Sequence, residues 1–354
     1  MTPTSLLLNN KTYSYEQIRT GDYATNSVFE KTTLTFCQQW LNAQQEFAQQ
    51  TSGSTGKPKT ISITRAQMQL SAKLTVKALK LKPKSIALVC IDTAYIGGKM
   101  MLVRALEHQL QLVIKEPSSN PLKEMEQQFD FAAMVPLQFE NTLKFYPNKI
   151  QNCSAIILGG APVSQSLANQ IAQLNIPVFS TYGMTETVSH IALKRLSQPK
   201  EKYFKIIGDT KIGINNQKQL VITGAITNKQ KLITNDRVKL ISSNQFEWLG
   251  RADNVINSGG IKIQLEEIER PIEHYFEKLN IKNRFFLYGI PDDYLGTKLI
   301  LCIESENVIN LISEMDFSLI EIDKRRHPKE IIYINSFVKT NAGKINRRSS
   351  FQNR

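Results

Sequence analysis

The chain has 354 residues, 41% apolar and 21% charged, with 17 glycines and 13 prolines; it can bury a sizeable core, and disordered, collagen-like and low-complexity architectures are excluded. Such a length suits two domains, or one large domain with an appendage. Lysine and arginine outnumber aspartate and glutamate 44 to 31, a net charge of +13 that suits polyanionic partners; yet the cations form no long basic block, zinc-finger spacing or RNP-like motif, so charge alone does not select nucleic acid.

Residues 1–50 are polar and Gln-rich, with an apolar patch from Leu34 to Phe47 that predicts one helix. Thr51-Ser-Gly-Ser-Thr-Gly-Lys-Pro-Lys59 is a dense run of turn formers and hydroxyls. Thr60–Ile63 alternates as a short strand, Thr64-Arg-Ala-Gln67 has capping-box form, and Ala66, Leu70, Leu74 and Ala78 lay an apolar stripe along a helix to about residue 80. Residues 85–91 (SIALVCI) form a continuous apolar run suited to a strand buried on both faces, with a helix around 98–110. From Ala155 the rhythm recurs: AIIL as strand, Gly159-Gly160-Ala161-Pro162 as turn, 165–174 as helix, 178–180 as strand. That is a βαβ unit and argues for a partly parallel sheet. Short strand patterns fill 218–249. After Gly250 a helix begins near Leu265, and strands at 284–289 and 298–303 flank a loop, as in a separate α+β domain.

The run at 51–59 carries the sharpest local chemistry. Glycines free successive backbone N–H groups, and with hydroxyls and a lysine beside them they can cradle phosphate. It is not a Walker A loop, because Thr51 stands where glycine is needed and Pro58 where Ser or Thr is needed. Taken alone it could equally be a solvated turn. Four further segments follow in order: STYGMTET at 180–187, TNDRVKL at 234–240, GRADNVINSGGIKI at 250–263 and KTNAGKINRR at 339–348. Across 51–348 the chain resembles the adenylate-forming acyl-CoA synthetase superfamily, and within it is most similar to the 2-succinylbenzoate–CoA ligases of menaquinone biosynthesis, in a shortened form.

The resemblance implies an α/β adenylate-forming fold. Residues 1–249 would form a large domain with partly parallel sheets and a small β-rich subdomain, 250–254 a hinge at Asp253, and 255–354 a small mobile α+β domain carrying Lys344. It implies that Thr51, Ser52, Gly53, Ser54, Thr55, Gly56 and Lys57 wrap the β- and γ-phosphates of ATP. Gly160, Ala161, Pro162, Thr181, Tyr182, Gly183 and Met184 would line the adenosine, the Tyr182 ring stacking on adenine. Thr185 would meet the α-phosphate and Glu186 hold Mg²⁺, a hard cation that takes oxygen ligands. Asp236 suits the ribose diol, since a carboxylate accepts two hydroxyls at once, with Arg251 beside it on ribose or phosphate. Lys344 would reach the α-phosphate and the substrate carboxylate. Gly259, Gly260 and Lys262 would face CoA, and Tyr95, Gly97 and Gly98 the acyl pocket.

The implied activity is ATP-dependent acid–CoA ligation in a cytoplasmic enzyme, with ATP, Mg²⁺ and CoA, no nucleic acid, no membrane span, and a homodimer as one possible assembly. No apolar stretch approaches the ~18 residues that span a bilayer, and the start MTPTSLLLNNK lacks a signal peptide's basic region. Cys37, Cys90, Cys153 and Cys302 are scattered, as reduced thiols are; His108, His190, His274 and His327 are isolated, so a histidine metal site is not expected. His190 is not needed as a base, because the acid's carboxylate is already the nucleophile. Departures from the pattern are Asn235 for glycine, Val338 for proline, Tyr95 at a histidine position, and only 50 residues before the phosphate loop, which leave the outer wall of the acyl pocket and any dimer surface open. Two alternatives stand beside the ligase: an adenylating enzyme that loads a carrier protein, and a non-catalytic or nucleic-acid-binding chain that keeps the fold. The Arg251–Asp253 pair could also be a plain ion pair, Tyr182 a core aromatic and Glu186 a helix cap.

Overall fold

The structure is a computed structural model and describes residues 3–51, 59–305, 317–339 and 345–354. Its centre is one 13-stranded sheet. Half of it is parallel and runs Ser5–Leu8, Gln111–Ile114, Ile86–Val89, Phe131–Met134, Ile156–Leu158, Val178–Gly183. Lys11–Ser14 closes that edge antiparallel. Beyond Val178–Gly183 the sheet turns antiparallel through His190–Arg195, Phe204–Ile206, Gln245–Arg251, Leu232–Ser242, Gln219–Thr223 and Lys211–Ile214.

The parallel half is buried on both faces, as the continuous apolar run at 85–91 implies. Ala87 and Val89 enter one core with the helices Val28–Leu41, Arg65–Ala78 and Ile96–His108, whereas Leu88 and Cys90 enter a second with Phe139, Leu167 and Ile171. The period of two divides the strand between two layers of helix. The expected βαβ unit forms from Ile156–Leu158, Gln165–Ile171 and Val178–Gly183. Thr64 caps its helix as expected: the Gln67 amide donates to Thr64 Oγ1 (3.2 Å) and the Thr64 amide to Gln67 Oε1 (3.0 Å).

The patch from Leu34 to Phe47 is not one helix. The helix is Val28–Leu41, opened by Ser27, whose hydroxyl accepts from the Glu30 amide. The chain then turns through Ala43 in the left-handed region (φ 59°) and enters the strand Glu46–Gln50, where Phe47 and Gln49 are buried and their neighbours exposed. Phe47 still packs on Phe36 and Trp40, so one apolar cluster joins two elements. The hairpin Ser5–Leu8/Lys11–Ser14 was also not apparent in the polar N-terminal sequence.

Beyond residue 254 lie the hairpin Val255–Ser258/Ile261–Gln264, the helix Leu265–Lys278, the sheet Phe285–Asp292, Gly296–Glu304 and Glu330–Ile334, and the helix Arg347–Gln352. Leu287, Leu299 and Leu301 pack towards Leu265–Lys278, while Phe286, Ile300 and Cys302 pack with Phe337, Ile345 and Phe351 on the opposite face. Among the described residues, these two cores contain nothing before Ile256, and the cores of the large sheet nothing after Trp248.

Candidate active site

In open α/β sheets, ligands bind beyond the carboxyl ends of the strands where the order switches. Here Ile156–Leu158 ends in Gly159-Gly160-Ala161-Pro162, and Val178–Gly183 ends in Met184-Thr185-Glu186. A Cβ on Gly159 would lie 2.7 Å from Thr181 Oγ1, which donates to Leu158 O at 3.0 Å, so a glycine lets the turn at 159–162 sit against the strand Val178–Gly183. Gly160 has φ +82°. Gly183 is equally constrained, because a Cβ would lie 2.3 Å from Ser189 O.

Thr185 and Glu186 sit on a single 3₁₀ turn, Thr185–Thr187. Thr187, fully buried, accepts from the Met184 amide (3.0 Å) and donates to Ser189 O (2.8 Å). Val188 follows with φ 64° and ψ −50°, and the Ser189 amide bonds Thr187 O at 2.7 Å. This is a γ-turn of the strained hand, held by a β-branched residue. Strain of this kind persists only where its surroundings impose it, and it lies directly behind Thr185 and Glu186. The Glu186 side chain is exposed and lines a groove of about 230 Å³ with Ile61, Gln67, Thr227 and Lys231.

Asp236, 9% exposed, stands opposite Arg251 in the strand pair Leu232–Ser242/Gln245–Arg251. Its Oδ2 accepts from the Tyr182 hydroxyl at 2.7 Å and its Oδ1 from the Trp248 indole at 3.0 Å. Burial, and next the Asp236 charge, push the Tyr182 hydroxyl far above its ordinary range, so it stays a donor. The Tyr182 ring packs on Phe204 and edge-on to Phe246, leaving 8% of the residue exposed. Arg251 does not reach Asp236 with a hydrogen bond; its Nε and Nη2 each donate to Asp253 at 2.8 Å. That pair, first, raises the Arg251 guanidinium above its usual range.

The strands Glu46–Gln50 and Thr60–Thr64 form a hairpin that presents 51–59. Its neck is closed by the Thr51 amide on Lys59 O (2.8 Å) and the Lys59 amide on Thr51 Oγ1 (3.2 Å). Ser52, Gly53, Ser54, Thr55, Gly56 and Lys57 lie outside the described residues, as does Lys344. Gln49 of the hairpin donates to Ala94 O (3.3 Å) and accepts from Lys99 Nζ (2.8 Å), which joins it to the Tyr95, Gly97 and Gly98 segment. That segment opens the helix Ile96–His108, and Gly98 is required because a Cβ would lie 2.4 Å from Asp92 O. Gly259 (φ +57°) and Gly260 (φ +80°) form the two-residue turn of the hairpin Val255–Ser258/Ile261–Gln264, and Lys262 is exposed on it.

Two functional candidates escaped sequence reasoning. Trp248 is one; its indole meets Asp236 from a strand whose local pattern says only "apolar". Arg104 is the other. It lies within the apolar helix run MMLVRAL, 2% exposed, and a cation there was the available signal. Its Nη2 donates to Ser189 Oγ at 2.8 Å, its Nε has no partner, and no carboxylate among the described residues pairs with it. Burial lowers its pKa to about 9. The chain of bonds continues from Ser189 Oγ to His190 Nδ1 (3.4 Å), from His190 Nε2 to Thr75 Oγ1 (3.2 Å), and from Thr75 Oγ1 to Ser71 O (3.1 Å). Since Thr75 spends its proton on Ser71, it accepts from His190 Nε2, and Nδ1 is left to accept from Ser189. Burial, with the Arg104 charge second, holds the His190 pKa well below the ordinary value, which favours the neutral imidazole that accepts from Ser189 at Nδ1.

A family model described as AMP-binding enzyme matches residues 38–222. The chain is similar to the acyl-CoA synthetase (AMP-forming)/AMP-acid ligase II-like protein from Dyadobacter fermentans DSM 18053: 42% identity, a TM-score of 0.63, and coverage of 94% of this chain and 97% of that one. It is 25% identical to a 2-succinylbenzoate–CoA ligase of Listeria monocytogenes over 94% of this chain and 75% of the relative. The O-succinylbenzoate coenzyme A synthetase of Bacillus subtilis, solved with ATP and magnesium ion, shares the fold at a TM-score of 0.75 and 19% identity, over 86% of this chain and 69% of its own. With the family model spanning more than half of its residues and a 42% identical structure spanning nearly all of them, the chain belongs to the AMP-binding enzyme family, the AMP-forming ligases.

Proposed function

We propose that the protein is an ATP-dependent acid–CoA ligase acting on an aromatic dicarboxylate of the 2-succinylbenzoate type. The observation that carries this reading is convergence. Residues of three of the motifs, 180–187, 234–240 and 250–263, lie together with the Gly159 turn and the strand that follows 51–59: Gly159 stands against Thr181, Tyr182 bonds Asp236, Asp236 stands opposite Arg251, and Glu186 lines one groove with Ile61. In this reading Asp236 takes the ribose, Thr185 the α-phosphate, and the 51–59 hairpin the β- and γ-phosphates.

The donor set suits Mg²⁺ held jointly with nucleotide. Exposed Glu186 would supply one oxygen ligand, and since no group of three or more His, Cys, Asp or Glu among the described residues forms a metal site by itself, phosphate oxygens would complete the shell, as is usual for Mg²⁺. Bound there, the ion would neutralise charge on the phosphates. The chain's own work is positioning and electrostatic stabilisation: the substrate carboxylate attacks the α-phosphate to give acyl-AMP and pyrophosphate, and the thiol of CoA then displaces AMP. Residues 255–354 form the small domain that brings Lys344 to the α-phosphate, pivoting on 250–254, and Gly259, Gly260 and Lys262 face CoA.

Arg104 supports the dicarboxylate. Its helix opens at the acyl segment Tyr95–Gly98, its Nη2 bonds Ser189 just behind Thr185 and Glu186, and its buried charge pairs with no carboxylate among the described residues. An acid with a second carboxylate supplies one. The similarity to 2-succinylbenzoate–CoA ligases points to the same class. Pyrophosphate release is to be measured across a panel of acids, with CoA and with a carrier protein as acceptor. Preference for 2-succinylbenzoate over its mono-ester, lost in Arg104→Met, supports the reading; preference for fatty or amino acids refutes the substrate class, and carrier loading without CoA turnover refutes the acceptor.

A further inference from the structure

Among the described residues, the buried carboxylate of Asp236 has no hydrogen-bonded cation of the kind a buried charge ordinarily demands. Arg251 stands opposite and acts on Asp236 through its charge, but its Nε and Nη2 donate to Asp253 and it makes no hydrogen bond to Asp236. The side-chain donors that reach Asp236 are neutral, one on each oxygen: the Tyr182 hydroxyl on Oδ2 at 2.7 Å and the Trp248 indole N–H on Oδ1 at 3.0 Å. An indole N–H can only donate, and Tyr182 is held protonated. Trp248 is itself fixed: it pairs with Val238 across the strands, packs against the main core, and its carbonyl accepts from Arg270 Nη2 at 2.8 Å.

Two anchors at opposite oxygens stop the carboxylate turning about its Cβ–Cγ bond, because rotation breaks both bonds together. Each oxygen keeps a second lone pair, and the two remaining acceptors then have a fixed spacing suited to a vicinal diol. We propose that Trp248 is a positioning residue that fixes the plane of Asp236, so that selection of ribose over deoxyribose depends on the indole N–H. The proposal rests on the nucleotide reading above, in which Asp236 meets the ribose.

The test is equilibrium binding of ATP, 2′-deoxy-ATP and 3′-deoxy-ATP by calorimetry to the full chain and to Trp248→Phe and Trp248→His, with thermal melting to establish folding. A hydrogen bond to a charged group corresponds to about 10- to 100-fold in affinity, so the unaltered protein should prefer ATP by at least about tenfold. Trp248→Phe should bring that preference to within about threefold by weakening ATP and leaving the deoxynucleotides nearly unchanged; Trp248→His, which keeps a ring N–H, should restore part of it. Trp248 and Trp40 are the two tryptophans, and Trp40 is 2% exposed in the helical core, so a fluorescence change on adding ATP should vanish in Trp248→Phe. Equal weakening of all three nucleotides in both variants, or an intact preference in Trp248→Phe, overturns the proposal and leaves the nucleotide reading standing. Absence of ATP binding to the unaltered protein overturns the reading and the proposal together.

Discussion

Replacing Glu266 with alanine is expected to shift the balance between the two half-reactions. Glu266 is 8% exposed and accepts from Asn254 Nδ2 at 2.5 Å, from Gln264 Nε2 at 2.5 Å and, more weakly, from the Arg251 amide at 3.4 Å. Gln264 donates to Arg251 O at 2.8 Å and accepts from Arg237 Nη1 at 2.9 Å. Gly250 completes the cluster, since a Cβ there would lie 2.5 Å from Glu266 Oε2. The segment 250–254 is thus gripped in one conformation by the elements it connects. Ile345, next to Lys344, packs on the face of its sheet opposite the helix Leu265–Lys278, and it is that helix whose Glu273 accepts from the Gln165 amide (3.0 Å). In the proposed alternation, turning the face that carries Ile345 towards Thr185 would mean giving up the Glu266 cluster. Hydrogen bonds to a charged acceptor are worth about 1.5–3 kcal/mol each. Gln264 lies in the same domain as Glu266 and keeps its bond in either orientation, so the bond from Asn254 at the pivot sets the effect: a loss of about 1.5–3 kcal/mol from this orientation, or about 10- to 100-fold in its population relative to the turned one. Acyl-AMP formation, read as a pyrophosphate burst, should hold or rise, and thioester formation from supplied acyl-AMP and CoA should slow, moving their ratio by about that factor. A ratio unchanged within about twofold, with a lowered melting temperature, would mean that the cluster supports folding and does not set the orientation.

Three further outcomes are expected. Lys344→Ala should slow acyl-AMP formation by on the order of 10²–10³, the usual effect of losing one preorganised charge, while supplied acyl-AMP is still converted to thioester; equal loss of both half-reactions would refute the alternating-domain account. Glu186→Gln keeps the size of an exposed side chain and removes its charge, so turnover should need more Mg²⁺ with the melting temperature unchanged, and an unaltered Mg²⁺ dependence would take Glu186 out of the metal site. His190 has its folded-state pKa well below the ordinary 6.5, so the unfolded chain binds the extra proton; its contribution to stability is complete above about 6.5 and is lost as pH falls below it. Melting temperature should drop less between pH 7 and 5 in His190→Gln than in the unaltered protein, and parallel pH profiles would contradict a neutral buried imidazole.

What the sequence made legible is what short range determines. Thr64 and Gln67 cap each other because the capping box needs three residues and no partner elsewhere. The run at 85–91 announced a strand buried on two faces, and Ala87 and Leu88 do enter different cores. The patch from Leu34 to Phe47 misled because a single apolar cluster is filled from a helix and from the strand after it, and composition cannot say where the backbone turns; Ala43 in the left-handed region carries no glycine to mark it. Motif spacing named Asp236 and Arg251 but not their bonds, since those depend on register. A bulge between Arg237 and Val238 sets Trp248 opposite Val238 while Asp236 stays opposite Arg251, and this slip brings the indole N–H to Oδ1. The same long-range logic hides Arg104, whose side-chain partner among the described residues, Ser189, is placed by the strained turn at Val188 and not by anything on Arg104's own helix. The motif residues are set by local patterns; the residues that orient them come from neighbours chosen by the order of the sheet, and that order appears only in the fold.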